Sequence, residues 1–200
     1  MKRYSQLNEL LAHIWEQVEL GATQADHPYH VSSFATVGSK EVNLRTVILR
    51  FAERESRSLL FHSDRRAGKI EDLGDRSRIG WLFWDRSSKQ QVRFWGEAKL
   101  HFDDELANWV WENSNPQSLK IYLKPVAPNT VVEKPSSGLI KKVETANLTN
   151  LEQVAAGRKN FAVIQTVIDK IDFLHLHSEG NYRACFQWKK SEFQGSWLIP

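Results

Sequence analysis

The chain has 200 residues, 41% hydrophobic and 26% charged, an ordinary composition for one globular domain that buries its core without covalent staples. A single cysteine, Cys185, excludes an internal disulfide, and a net charge of +3 with both signs mixed along the chain lacks the dense cationic run of a dedicated nucleic-acid binder. No apolar run approaches the roughly 18 residues of a membrane span. Asn8, Glu9, His13, Glu16 and Gln17 break up the stretch behind Met1-Lys2-Arg3 where a signal peptide needs an apolar centre, so a cytoplasmic location is expected.

Leu7, Leu10, Leu11, Ile14, Trp15 and Val18 recur at three- and four-residue spacing, which predicts a helix over residues 1–21 with Ser5 as N-cap and Gly21 as its stop. The period then changes to two. Strands are predicted over 30–37, 42–51 and 58–62, with a turn at Gly38-Ser39-Lys40. Ser63 is read as the cap of a short helix running through Ile70 and Leu73 to Gly74. Strands over 78–84 and 90–102 flank Asp85-Arg86-Ser87-Ser88 and read as a hairpin.

Asp103 and Asp104 open a second long helix carrying Leu106, Trp109 and Val110. Residues 115–150 hold four of the six prolines and few periodic apolar positions, and read as a long loop at the rim of a pocket. Thr149-Asn150-Leu151-Glu152 has capping-box spacing, so a short helix should follow. Strands over 162–177, 181–189 and 195–199 close the chain. No regular βαβ alternation and no internal repeat is present. The expected class is mainly β with peripheral helices (α+β), a single domain over 1–200 built on an antiparallel barrel.

Three segments carry candidate chemistry. On a strand over Arg45-Thr46-Val47-Ile48-Leu49-Arg50, Arg45, Val47 and Leu49 share one face and Thr46, Ile48 and Arg50 the other. An arginine at each end of an apolar strand needs an anion or water. Ser63-Asp64-Arg65-Arg66-Ala67-Gly68-Lys69 puts basic residues at a strand-to-helix junction, where free N–H groups already favour a phosphate. In Gln91-Val92-Arg93-Phe94-Trp95-Gly96, Gln91 and Arg93 share a face. Gln91 offers both a donor and an acceptor, and Gly96 suggests a bulge or a close approach.

Taken together, Arg45 to Arg50, Phe61-His62, Arg65-Arg66 and Gln91-Val92 with Gly96 resemble, in order and spacing, the pyridoxamine 5'-phosphate oxidase family. The resemblance implies a split β-barrel that forms a homodimer with flavin mononucleotide (FMN) at the interface. It implies that Arg45, Arg65 and Arg66 hold the FMN phosphate, that Arg50 and Gln91 lie near the isoalloxazine ring, and that Val47 and Ile48 approach it through main chain. Thr46, Leu49, Phe61 and His62 complete the implied cofactor shell. Phe173 and Arg183 have the ten-residue spacing of a Trp and an Arg that the family contributes from the other subunit.

The departures lie on the substrate side. The loop before the basic pair is about two residues shorter than in the oxidase, and His62 replaces a Thr. Where the oxidase has an Arg-x-His-x-Arg run for its phosphorylated substrate, this chain has Glu179-Gly180-Asn181-Tyr182-Arg183, with only the last Arg kept. A glutamate there repels a phosphate. The expectation is a divergent branch: an FMN-dependent oxidoreductase with a small-molecule substrate other than pyridoxamine phosphate, His175 and Tyr182 lying on the substrate side. The alternative is a non-catalytic FMN-binding protein, a store or sensor. His175 and His177 share a strand face but lack a third ligand, so no metal is expected. The spacing of Trp81, Trp84, Trp109 and Trp111 suits a core or dimer interface better than base stacking, so neither a nucleic-acid nor a membrane partner is expected.

Overall fold

The computed structural model describes residues 3–38, 40–75 and 77–200. Met1, Lys2 and the middle residue of the turn at Gly38-Ser39-Lys40 lie outside the described residues. The first helix, α1 (Leu7–Thr23), buries Leu10, Leu11, Ile14, Trp15 and Val18 along one stripe. Its N-cap is Gln6, which makes no side-chain cap, so Ser5 does not play that part. Gly21 does not stop the helix. It lies within it because a Cβ there would sit 2.8 Å from the Cβ of Tyr29.

The described residues form nine antiparallel strands in one sheet. They are β1 (Val31–Val37), β2 (Val42–Ile48), β3 (Phe51–Glu53), β4 (Ser58–Asp64), β5 (Arg78–Asp85), β6 (Gln90–His101), β7 (Phe161–His175), β8 (Tyr182–Lys189) and β9 (Glu192–Leu198). The order is β2-β1-β5-β6-β7-β4-β3, and β8 then β9 continue beside the second half of β7. β7 is long enough to serve two neighbours on one edge: residues 161–167 pair with β4, and 170–175 pair with β8. That division curls the sheet into a split half-barrel.

The strand expected over 42–51 breaks in two. Backbone N–H groups of Leu49 and Arg50 leave the ladder and donate to His30 and Leu60, which carries the chain from the β1 side of the barrel to β4. Within β6 the register shifts between Trp95 and Gly96, because a Cβ on Gly96 would stand 2.8 Å from the backbone carbon of Val167.

Two hydrophobic cores lie on opposite faces of the curled sheet. The larger, inside the barrel, joins the α1 stripe to Phe34, Phe61, Trp81, Phe83, Phe94 and Phe173 among others. The second sits outside β4 and β7 and joins Leu60, Phe161 and Val163 to the helical segments. Asp104 caps α3 (Glu105–Glu112), whose eight residues make it shorter than the long helix expected there.

Residues 115–150 are not a bare loop. They contain α4 (Pro116–Leu119), a 3₁₀ turn at Lys120–Leu123 and α5 (Lys141–Glu144), and they place Leu119, Tyr122 and Leu148 in the second core. The capping box falls one residue later than expected, on Asn150 and Gln153, and opens a 3₁₀ helix over Leu151–Asn160. Ser63 does not cap a helix either. It belongs to β4, and α2 spans Gly68–Asp75. Trp81 and Trp111 are buried, whereas Trp84 and Trp109 are exposed. Among the described residues no helix is long and apolar enough to cross a membrane.

Candidate functional site

The alternation on β2 turns Arg45 and Val47 inward and Thr46 and Ile48 outward. Val47 and Leu49 enter the main core. Arg45 Nη1 donates to Thr36 Oγ1 at 2.6 Å, and its Nη2 stands 3.6 Å from Asp72 Oδ2. Thr36 and Asn43 donate to the same carboxylate oxygen, at 2.7 and 3.1 Å. One turn before Asp72 on α2, the Lys69 ammonium donates to Ser63 Oγ at 3.2 Å.

Burial lowers the Lys69 pKa, and the positive charge of Arg45 lowers it further, with Asp64 opposing. Burial also lowers that of Arg45, against the pull of Asp72. Both side chains line one pocket of about 400 Å³ with Gly68, Asn43, Asp72 and Asn129. Arg45 and Lys69 are the cations of this pocket beside the first turn of α2, and Asp72 and Glu71 are the carboxylates in the same lining.

Arg65 and Arg66 point elsewhere. Arg66 grips Asp64 through Nε at 2.9 Å and Nη2 at 2.7 Å, and Nη2 also donates to the Lys124 carbonyl. Asp64 raises the Arg66 pKa through those bonds. Arg65 donates to Asp103 at 3.2 Å and stacks 4.6 Å from the Phe102 centroid. Neither lines the Arg45 pocket. Lys69 does, and the sequence held a signal for it: it is the third basic residue of the junction segment, in the first turn of α2.

The outward face of the sheet carries a groove of about 620 Å³, lined by Ser33, Leu44, Thr46, Gln91, Arg93 and Trp95 among others. The ladder registers align Thr46, Ser33, Leu82, Arg93, Asp172 and Cys185 in one row across six strands. The next row joins Gln91 to Leu174 and Leu174 to Arg183. Arg93 and Arg183 both bond Asp172, at 2.9 and 2.7 Å.

Phe173 is one residue out of this row and therefore on the other face. It is fully buried in the main core against Tyr182, so Leu174, and not Phe173, shares the outer face with Gln91 and Arg183. Phe61 also points into the core, edge-on to Phe34 and Trp81.

Arg50 and His62 meet in a separate pocket of about 230 Å³, with Phe51, Trp109, Asn115 and Ser118 among its lining. Burial, and then the charge of Arg50, push the His62 pKa down to about 3. Burial also lowers that of Arg50. Tyr182 and Arg183 line a third groove, of about 470 Å³, with Arg3, Tyr4, Trp197 and Leu198. His175 is buried behind it, edge-on to Tyr182 at 5.0 Å. The expected site residues thus fall into the pocket of Arg45 and Lys69, an outer groove, two further pockets and the core.

The family model of the pyridoxamine 5'-phosphate oxidase FMN-binding domain matches residues 9–102, just under half of the chain. No curated protein sequence matches. Among solved structures, a pyridoxamine 5'-phosphate oxidase-related FMN-binding protein from Nostoc punctiforme superimposes with a TM-score of 0.74 at 16% identity, each chain covered in full. PhzG from Burkholderia lata, solved with tetrahydrophenazine-1-carboxylic acid, gives 0.70 at 13% identity over all of this chain and 95% of its own. A protein from Clostridium acetobutylicum related to general stress protein 26 gives 0.58 at 10% identity, covering 92% of this chain and 98% of its own. These likenesses establish the split-barrel fold.

Proposed function

We propose that this chain, whose residues 9–102 match the model of the pyridoxamine 5'-phosphate oxidase FMN-binding domain, is an FMN-dependent oxidoreductase of a divergent branch of that family, acting on a small molecule other than pyridoxamine phosphate. The observation that carries the reading is the pairing of Arg45 and Lys69 in one pocket at the first turn of α2. Two adjacent, partly buried cations suit a phosphate, and the outer groove of about 620 Å³ lies within the size range of cofactor sites. The donor set therefore fits FMN.

Bound FMN supplies the redox chemistry, and the protein binds, orients and tunes it. Arg45 and Lys69 hold the phosphate as charge-assisted donors. Gln91 offers a donor and an acceptor to the pyrimidine edge. Arg93, with Arg183 behind Asp172, gives the outer face its positive potential. Tyr182 and Arg183 line the substrate side, with His175 packed behind Tyr182. Only one arginine of the oxidase's phosphate-gripping run is kept, and Glu179 lies four residues before it. That composition supports a changed substrate.

The active form is assigned as a homodimer with FMN at its interface. Val31, Leu44, Leu82 and Trp84 stand exposed on the outer sheet face, Leu44 at 73%, and several large apolar side chains exposed on one face suit an association surface. A cytoplasmic location suits a chain whose only cysteine has no partner within it.

The test is the visible spectrum of the purified protein, with the released ligand identified by mass. A flavin spectrum with the FMN mass, lost in Arg45→Ala/Lys69→Ala, supports the site, and turnover with an electron donor and acceptor supports the enzyme. A colourless protein that takes up no added FMN overturns the cofactor assignment. Bound FMN without any enhanced turnover points to the store or sensor.

A further inference from the structure

β7 buries one carboxylate beneath the outer face. Asp172 is 2% exposed, and an isolated carboxylate at that depth is strongly unfavourable. Two guanidiniums from the flanking strands compensate it. Arg93 on β6 donates from Nη2 to Oδ1 at 2.9 Å, and Arg183 on β8 donates to Oδ2 from Nε at 2.9 Å and Nη2 at 2.7 Å. Neither cation is locked away, since their side chains keep 36% and 32% exposure. Arg93 faces the groove of Gln91 and Trp95, and Arg183 faces the groove of Tyr182 and Trp197. One carboxylate thus fixes two cations that open on two grooves.

We propose that Asp172 is a positioning residue for the flavin: it orients Arg93 and Arg183 and offsets one of their two charges, setting the positive potential of the outer face. This rests on the FMN reading above. Lys170, 4.8 Å from the Trp95 centroid, adds a third cation to the same face, so Asp172 brings three positive charges down to a net of two. Reduced flavin carries more negative charge than oxidised flavin. A fixed positive field therefore favours the reduced form, and the size of that field sets the midpoint potential. An acid serving the fold alone has no need of groove-facing partners. Asp169 with Arg78 is such a pair, more exposed, and neither residue lines the outer groove.

The experiment is the FMN midpoint potential of purified holoprotein, wild type against Asp172→Asn, Arg183→Gln and Asp169→Asn. Removing the buried carboxylate should favour reduced over oxidised FMN by about tenfold, which for a two-electron couple is an upward shift of about 30 mV. Arg183→Gln removes a cation from the same network and should shift the potential downward. Asp169→Asn should leave it unchanged. Should Asp172→Asn fail to fold, the sign for Arg183→Gln decides alone: a fall supports the proposal. An unchanged potential in Arg183→Gln, or in a folded FMN-bound Asp172→Asn, overturns it while leaving the FMN reading intact. A wild-type protein that binds no FMN overturns both.

Discussion

Lys69 and Arg45 present their cationic heads to the same pocket, and the charge of Arg45 is the second cause, after burial, of the lowered Lys69 pKa. Asp72 offsets part of this charge from 3.6 Å, and a phosphate in the pocket would add further charge-assisted bonds. Each charge-assisted bond to a phosphate oxygen contributes roughly 1.5–3 kcal/mol, so Lys69→Ala and Arg45→Ala should each weaken FMN by about 10- to 150-fold in a fluorescence titration. Arg65→Ala should change affinity by less than about twofold, because that side chain is bonded to Asp103 outside the pocket. Equal losses in Arg65→Ala and Lys69→Ala would refute the assignment. Binding should also weaken as pH rises through the depressed lysine pKa, below 10.5, and Lys69→Arg should remove that dependence.

Phe173 is a core residue, and its substitution should behave as one. Phe173→Ala should cost about 3–5 kcal/mol of unfolding free energy, read from urea denaturation. Leu174→Ala, on the outer face, should cost far less. If Phe173→Ala keeps its stability and loses only FMN affinity, the register of β7 is wrong by one residue.

That residue shows how far the sequence was legible. The alternation on Arg45 to Ile48 predicted which side chains share a face, because period two is a property of any strand, but it did not show that the strand ends at Ile48 and carries Arg50 into a separate pocket with His62. The ten-residue spacing from Phe173 to Arg183 suggested one surface, yet spacing across a turn does not fix register. The chain between β7 and β8 sets Arg183 opposite Leu174. Arg65 and Arg66 were indistinguishable from phosphate ligands in sequence. Their partners are Asp103 and Asp64, one of them distant in the chain, and only the fold decides which cations line the pocket. The second core escaped notice because Leu119, Tyr122 and Leu148 are scattered among prolines and polar residues without a period.

His62 should be neutral at every pH at which the protein is folded and active. With its pKa pushed to about 3 by burial and by Arg50, it stays unprotonated while the unfolded chain takes up a proton near pH 6.5. The unfolded state binds more protons across that window, so stability falls as pH drops from about 6.5 toward 3, by a few kcal/mol at most. His62→Phe should flatten this slope in denaturation curves taken between pH 4 and 7 (roughly the accessible range). A slope equal to that of wild type means that His62 ionises in the folded state.

Gly96 marks the β6 bulge, where the backbone of β7 approaches too closely for any side chain. A Cβ there meets the Val167 carbonyl, with its carbon at 2.8 Å and the Ile168 Cα at 3.0 Å. Neither is a flexible tip that can swing aside. Gly96→Ala should therefore destabilise the fold by about 3 kcal/mol or more, seen as a lower melting temperature, whereas Gly74→Ala, where nothing stands within 4 Å, should be neutral or slightly stabilising. Comparable melting temperatures for the two variants would mean that the strands separate locally at no cost.

The exposed outer face makes the dimer testable without touching the core. Leu44 is 73% exposed on β2, an edge of the sheet, and Leu82 and Trp84 continue the apolar patch on β5. Such a face loses water-exposed apolar area on pairing, at roughly 25 cal/mol per Å². Leu44→Glu leaves the monomer's packing unchanged but places a charge within that contact. Light scattering after size-exclusion chromatography should give twice the chain mass for wild type and a concentration-dependent fall toward the single mass for Leu44→Glu. FMN affinity should fall with it, since the groove lined by Leu44 and Gln91 opens on the same face. A wild-type monomer that holds FMN tightly would show that one chain completes the site, and the apolar face would then need another occupant.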